Sequence, residues 1–397
     1  MGDDAPIPGV PDRRGPLHGV RVLELAGIGP GPFCGMLLAD LGAEVIRVDR
    51  PGAQAGNPLA PEFDLLNRGR RSLVLDLKRP GADSVVLRLA QTADVLIEGF
   101  RPGVAERLGV GPDACLERNP QLVYGRMTGW GQDGPLAARA GHDINYIALA
   151  GALGLMGPAD RPPTVPVNLL GDFGGGAMFL ALGVVCAVLE ARTSGRGQVV
   201  DASIVEGTAL LTTIVHGMRA QGLWEGARAE NLLDGGAHFY GVYECADGRH
   251  ISIGAVEPQF YRELLEALGL AEDDDFLRGH ADRSRWPLLR KRLETVFRGR
   301  TSTEWTDLLG DRDVCFAPVL ALDEVAVHPH NRARGSFTDA HGLLQPAPAP
   351  RFSRTVPDTP GPPALPGADS RAVLAGGGFT AAEIDALLAA GTVHQRA

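Results

Sequence analysis

Residues 19–51, GVRVLELAGIGPGPFCGMLLADLGAEVIRVDRP, decide the fold. They read strand, glycine turn, helix, strand, with Pro32 in the favoured first helical position and Gly42 at the helix end. That is one βαβ unit. Outward from it, SLVLDL (Ser72–Leu77), DVLIEGF (Asp94–Phe100) and LVYGRM (Leu122–Met127) are further apolar runs of strand length, separated by helical patterns such as ADSVVLRLAQ. Alternation of this kind predicts an α/β fold, a parallel sheet with helices on its faces. GRGQVVDASIVEG supplies a turn and another strand, and a helical stretch from near Glu206 leads away from this core. From about Gly235 the character changes. FYGVYEC and HISIGAV flank the turn ADGR as a β-hairpin, and EPQFYRELLEALGL and RWPLLRKRLETVF have amphipathic helical spacing. The reading is a short N-terminal arm over 1–16, a large α/β domain over 17–203, a connecting helix over 204–234 and a smaller α+β domain over 235–328.

With 397 residues the chain is long enough for at least two cored domains. Its net charge of −10 argues against a non-specific grip on nucleic acid or anionic membranes. The five cysteines are odd in number and lack a CxxC, so neither a disulfide framework nor a metal site is expected. The arm has no apolar segment of a signal peptide, and a cytoplasmic location is expected. The uncharged run Phe173–Leu189, 17 residues between Asp172 and Glu190, is read as a buried core helix. Thr301 with Glu304 and Thr380 with Glu383 fit capping boxes, and the Pro-rich passage 345–367 is expected to run extended over the surface.

Several groups can carry chemistry. Gly29, Gly31 and Gly35 after the first strand, with Asp49 ending the second, imitate a dinucleotide fingerprint in the weak form GxGxxxG. Arg50, Arg68, Arg70, Arg71, Arg101 and Arg107, with Lys78, recur beyond strand ends, where forked guanidinium donors suit a polyphosphate. His142 and Asp143 follow a glycine-rich loop. On spacing alone the favoured reading is a buried histidine, with Asp143 capping a helix from Ile144. Asp172 is either the cap of the apolar helix or an acid facing a ligand, and Glu257 before Pro258 reads as a first-turn helix acid.

The stretches VLELAGIGPGP, DVLIEGFRPGVAERLG, RMTGWGQDGP, GHDINYIALAG, NLLGDFGGG, GQVVDASIVEG, YECADGR and GAVEPQFY together resemble the alpha-methylacyl-CoA racemase family, a branch of the family III CoA-transferase superfamily. The resemblance runs from Leu17 to about Leu388. It implies a large nucleotide-fold domain built from both chain ends, so that 329–397 return to it, and two subunits interlocked as rings in an obligate homodimer. By matching motifs it implies His142, Asp143, Asp172 and Glu257 as catalytic residues, and CoA contacts at Ile28, Arg50, Leu75, Lys78, Arg101 and Arg107. The activity implied is the interconversion of (2R)- and (2S)-2-methylacyl-CoA, with CoA entering as part of the thioester substrate and no other cofactor. Removing a proton next to a thioester needs a positioned base and a holder for the enolate oxygen, and inversion needs two bases on opposite faces. His142, oriented by Glu257 of the partner subunit, and Asp172 fill those places, with the Asp143 N–H donating to the oxygen. The rivals are a CoA-transferase that uses Asp172 as nucleophile and an NAD(P) oxidoreductase built on the glycine turn. The histidine directly before Asp143 favours the racemase.

Overall fold

A computed structural model describes residues 14–52 and 59–396, so most of the expected arm lies outside the described residues. The chain forms two compact units, one from 1–150, 167–211 and 332–397, the other from 151–166 and 212–331. The expected connector is therefore divided: 204–211 belong to the first unit and 212–234 to the second.

In the first unit β1 (Arg21–Leu25), β2 (Glu44–Asp49), β3 (Arg71–Leu75), β4 (Val95–Glu98), β5 (Val123–Thr128) and β6 (Val199–Ser203) pair in the order β3-β2-β1-β4-β5-β6, all parallel. The short strand Val393–His394 adds antiparallel to the β3 edge. Alternate residues of each strand point to opposite faces, and both faces are buried. Leu23, Ile46, Leu73 and Leu96 pack with Val85, Val86 and Leu89 of α2 (Ala82–Ala90), while Val22, Val45, Val95 and Val123 pack with Leu38 of α1 (Pro30–Asp40). The strand order reverses between β1 and β4, which makes the carboxyl ends of those strands the switch point where ligands of doubly wound sheets bind. Pro30, not Pro32, takes the first position of α1. Gly29 caps it at φ 68°, a conformation only glycine takes without strain.

After β4 come α3 (Val104–Arg107) and α4 (Pro112–Arg118), and after β5 comes α5 (Asp143–Leu149). Residues Leu169–Ala177 form a π-helix that continues into α6 (Met178–Ser194). Here the expectation of a buried core helix fails in part. Leu180, Val184, Ala187, Val188 and Ala191 pack under the sheet, but Met178 (51% exposed), Leu182 (60%) and Leu189 (70%) do not. By length and composition 169–194 could cross a membrane, yet its buried face is part of the sheet's own core. Next, α7 (Ile204–Leu211) packs on the π-helix with almost no room between them: a Cβ on Gly207 would lie 1.8 Å from the Gly175 carbonyl oxygen.

The second unit contains α8 (Thr213–Ala220) and carries the antiparallel sheet β7 (Tyr240–Glu244), β8 (His250–Gly254) and β9 (Phe316–Pro318). Beside it stand α9 (Pro258–Leu268), α10 (Asp274–Gly279), α11 (Trp286–Phe297) and α12 (Ser302–Leu309). Phe239, Tyr243, Ile251, Leu264, Leu289, Phe297 and Trp305 form its core. Both capping boxes are present, Thr301 with Glu304 and Thr380 with Glu383. The Pro-rich passage differs from expectation at its start, because Gln345 and Pro346 end a hairpin, Phe337–Ala340 with Leu343–Pro346.

Candidate active site

Asp172 lies in the π-helix, one residue after Gly171, and caps no helix. Interruptions of this type recur at functional sites because they re-aim side chains within a rigid rod. Its backbone N–H donates to Asp143 Oδ1 at 2.7 Å. A Cβ on Gly171 would sit 2.4 Å from that same oxygen, so glycine is needed for the contact. Phe173 stacks on Phe33 of α1 with ring centroids 4.4 Å apart. A Cβ on Gly29 would lie 3.1 Å from Asp172 Oδ2, which puts the carboxylate against the first turn of α1, at the switch point. Burial raises the pKa of Asp172, the nearby Asp143 carboxylate adds to the rise, and a bond from Asn168 Nδ2 (3.4 Å) and the charge of His142 oppose it. Asn168 escaped the sequence reading. The signal was its place four residues before Asp172 on a helix, where side chains meet.

His142, not Asp143, is the N-cap of α5, and its backbone N–H donates to Asn145 Oδ1 at 3.1 Å. Its side chain is exposed, contrary to a buried structural histidine. Asp143 is 7% exposed and holds Asp172, so its carboxylate positions and its N–H, in the first turn, needs a partner from outside the helix. Tyr146 fixes the approach to His142: its hydroxyl donates to the Gly141 carbonyl at 2.5 Å and its ring meets Trp130 edge-on at 4.7 Å. Cβ atoms on Gly129 and Gly141 would fall 2.1 and 2.7 Å from that ring, which accounts for two glycines of the motif loop by packing alone. Likewise Gly175 and Gly176 of GDFGGG face α7, not a ligand.

The arginines divide. Arg68 pairs with Asp40 and Gln345, Arg70 with Glu24, and Arg71 with Glu44, all buried, so these three are structural and leave the expected ligand-binding group. Arg50, Lys78, Arg101 and Arg107 are exposed and, among the described residues, form no ion pair. With Ile28 (81% exposed) they stand beyond the carboxyl ends of β2, β3, β4 and β1, a continuous row in the sheet. Leu75 differs. Its side chain is in the core at 1% exposed, which leaves only its backbone for a ligand. Asp49, the acid of the dinucleotide fingerprint, is buried and accepts from Ser72 Oγ (2.7 Å) and Arg47 Nε (2.8 Å), so it is not free for a ribose. Glu257, in the second unit, is exposed at the N-cap of α9, not within its first turn, and makes no cap bond with its side chain.

A nucleotide-type sheet with a row of free cations along its carboxyl ends and a desolvated carboxylate at the switch point defines an enzyme built for an anionic, nucleotide-bearing substrate. The chain belongs to CoA-transferase family III, which it matches over residues 17–370. It is 47% identical to the alpha-methylacyl-CoA racemase of Mus musculus over 371 residues, 93% of this chain and 95% of that protein. To the alpha-methylacyl-CoA racemase of Homo sapiens it is 45% identical, over 85% of this chain and 87% of that one. A crystal structure of a CaiB/BaiF family protein from Brucella suis superposes with TM-score 0.78 at 26% identity, covering 91% of this chain and 99% of that one.

Proposed function

We propose that the chain is an isomerase that inverts the α-carbon of 2-methylacyl-CoA thioesters by a 1,1-proton transfer. The observation that carries this reading is the juxtaposition of a desolvated Asp172 with the helix start His142–Asp143, whose carboxylate holds the Asp172 backbone. One base takes the α-proton, the C–H electrons move onto the thioester oxygen as an enolate, and the other base returns a proton to the opposite face. His142 and Asp172 exchange these roles with direction. The Asp143 N–H donates to the enolate oxygen, an interaction typically worth roughly 3 to 4 kcal/mol. Arg50, Lys78, Arg101 and Arg107 receive the CoA phosphates, and Ile28 and the Leu75 backbone line the nucleotide. The scheme draws on no metal or redox cofactor, since CoA is part of the substrate.

A raised Asp172 pKa has a kinetic purpose in this scheme. The active enzyme carries one proton on the two bases, and it sits on His142 for one direction and on Asp172 for the other. Raising the carboxyl's pKa favours the form with the proton on Asp172. The kcat/KM profile should therefore be bell-shaped and the same in both directions, with its acid limb above the ordinary 3.8 of an aspartate. An acid limb at or below that value removes Asp172 as the acid–base partner.

The exposed apolar face of α6, with Leu149, Leu169 and Leu210 also exposed in this unit, supports an obligate homodimer in which a second copy covers it. In that dimer Glu257 of one copy orients His142 of the other. His142→Ala and Glu257→Gln subunits, each impaired alone, should regain activity when co-expressed, because a hybrid dimer contains one site with both native residues. No recovery in the hybrid places Glu257 outside the other copy's site. The transferase reading, with Asp172 forming an acyl anhydride, would instead require a carboxylate acceptor and tolerate His142→Ala.

A further inference from the structure

Two of the free cations, Arg101 and Arg107, sit on the segment that leaves β4, and that segment is tied to a buried ionic cluster with no part in the proton transfer. Glu98 ends β4 and is 1% exposed. Its register partner on β5 is Arg126, 8% exposed. Glu98 Oε1 accepts from Arg126 Nε at 3.0 Å, and Glu98 Oε2 accepts from the backbone N–H of Phe100 at 2.6 Å. Arg126 Nη1 also reaches Glu106 Oε1 at 2.9 Å. Each cation thus follows directly on a tied residue: Arg101 after Phe100, and Arg107 after Glu106.

We propose that Glu98, Arg126 and Glu106 form a positioning clamp that sets Arg101 and Arg107 at the spacing of the CoA phosphates. This rests on the reading of those two arginines as CoA contacts. The physical reason is that a forked guanidinium gains its strength from geometry, and a long side chain on an exposed loop has that geometry only if its backbone is fixed. Strand ends are rigid, and the clamp extends that rigidity through two bonds into the loop and α3. Both carboxylates are needed. Glu98 sets the path of Phe100–Arg101, while Ala105 anchors the four-residue α3 in the core and Glu106 ties its outer face, which carries Arg107, to Arg126. Burial raises the pKa of Glu98 against the opposing Phe100 N–H and Arg126, in keeping with a carboxylate held in place at a cost.

The test compares Glu98→Gln and Glu106→Ala on two substrates, a 2-methylacyl-CoA and the matching pantetheine thioester, which lacks the nucleotide phosphates. A side-chain amide at 98 offers one acceptor where two bonds are made, so one tie is lost. KM for the CoA ester should rise about ten-fold with kcat within about two-fold of native, while kcat/KM for the pantetheine ester stays at the native value. Titration calorimetry with CoA alone should show the same fall in affinity. A merely structural role would lower activity on both esters equally, and that result, or native CoA affinity in both variants, overturns the clamp. Glu106 is on the surface, so Glu106→Ala, which removes its tie to Arg126, carries the test if Glu98→Gln does not fold. Failure of the native chain to bind CoA would reject the reading of the site itself, an outcome distinct from native-like variants.

Discussion

Asp172→Asn should slow interconversion of the 2-methylacyl-CoA epimers by about 10³-fold or more, while α-deuterium uptake from heavy water falls likewise only for the epimer whose α-proton faces Asp172, the other still exchanging through His142 without inversion. The amide keeps the shape of the side chain, and the bond from its backbone N–H to Asp143 is untouched. What is lost is the proton acceptor. The stability consequence has a definite sign. Because the folded state raises the pKa of Asp172, it binds the proton more readily than the unfolded chain, so this group favours folding below 3.8 and that contribution is lost as pH rises through the raised value. At neutral pH the ionised carboxylate is a burden on the fold. Asp172→Asn should then unfold in urea at a midpoint no lower than the native chain, which separates a chemical loss from a structural one. Interconversion of the epimers at the native rate in this variant would end the two-base scheme. Exchange needs no acyl acceptor, so running it without one also separates racemase from transferase: the transferase reading predicts no deuterium uptake in the native chain.

The parallel sheet was legible because its strands are buried on both faces and read as plain apolar runs between glycine turns, as in residues 19–51. What could not be read was where each charged residue sends its side chain. Arg70 and Arg101 look alike in sequence, each an arginine near a strand end. Yet Arg70 turns under α1 to Glu24, and Arg101 stays free. The partners of Arg68 lie 28 and 277 residues away, beyond any local pattern. Helix α6 misled for a related reason: uncharged residues on all sides signal burial, but the sheet covers only one face of the helix. His142, Asp172 and Glu257 came from motif resemblance; spacing alone left each with a structural explanation. The roles of Asn168 and Gly171 emerged only with contacts in three dimensions.

Glu24→Gln should destabilise the first unit by about 3 to 5 kcal/mol, among the largest effects a single isosteric change can have. Arg70 has no exposed side-chain surface, and its pair with Glu24 at 2.6 Å is its only carboxylate contact among the described residues. It further donates to the carbonyls of Pro32 and Leu66, which fastens the first turn of α1 and the segment before β3 to the same guanidinium. Burial raises the pKa of Glu24 and lowers that of Arg70, in each case against the attraction between them. Both partners therefore report that desolvation outweighs their pairing. Such a pair adds little net stability but cannot be halved, because the survivor remains as an uncompensated charge away from water. Gly35 makes the arrangement possible, since a Cβ there would lie 2.4 Å from Glu24 Oε2. Replacing both partners, Glu24→Gln with Arg70→Met, should recover part of the loss, the remainder being the two carbonyls left without a donor. Urea unfolding of the single and double variants measures this directly. A single variant as stable as the native chain would mean that the neutral acceptors on Arg70, Asn67 Oδ1 and the carbonyls of Pro32 and Leu66, suffice without the carboxylate. A double variant worse than the single would mean that fastening α1, the wall against which Asp172 rests, is the main task of Arg70.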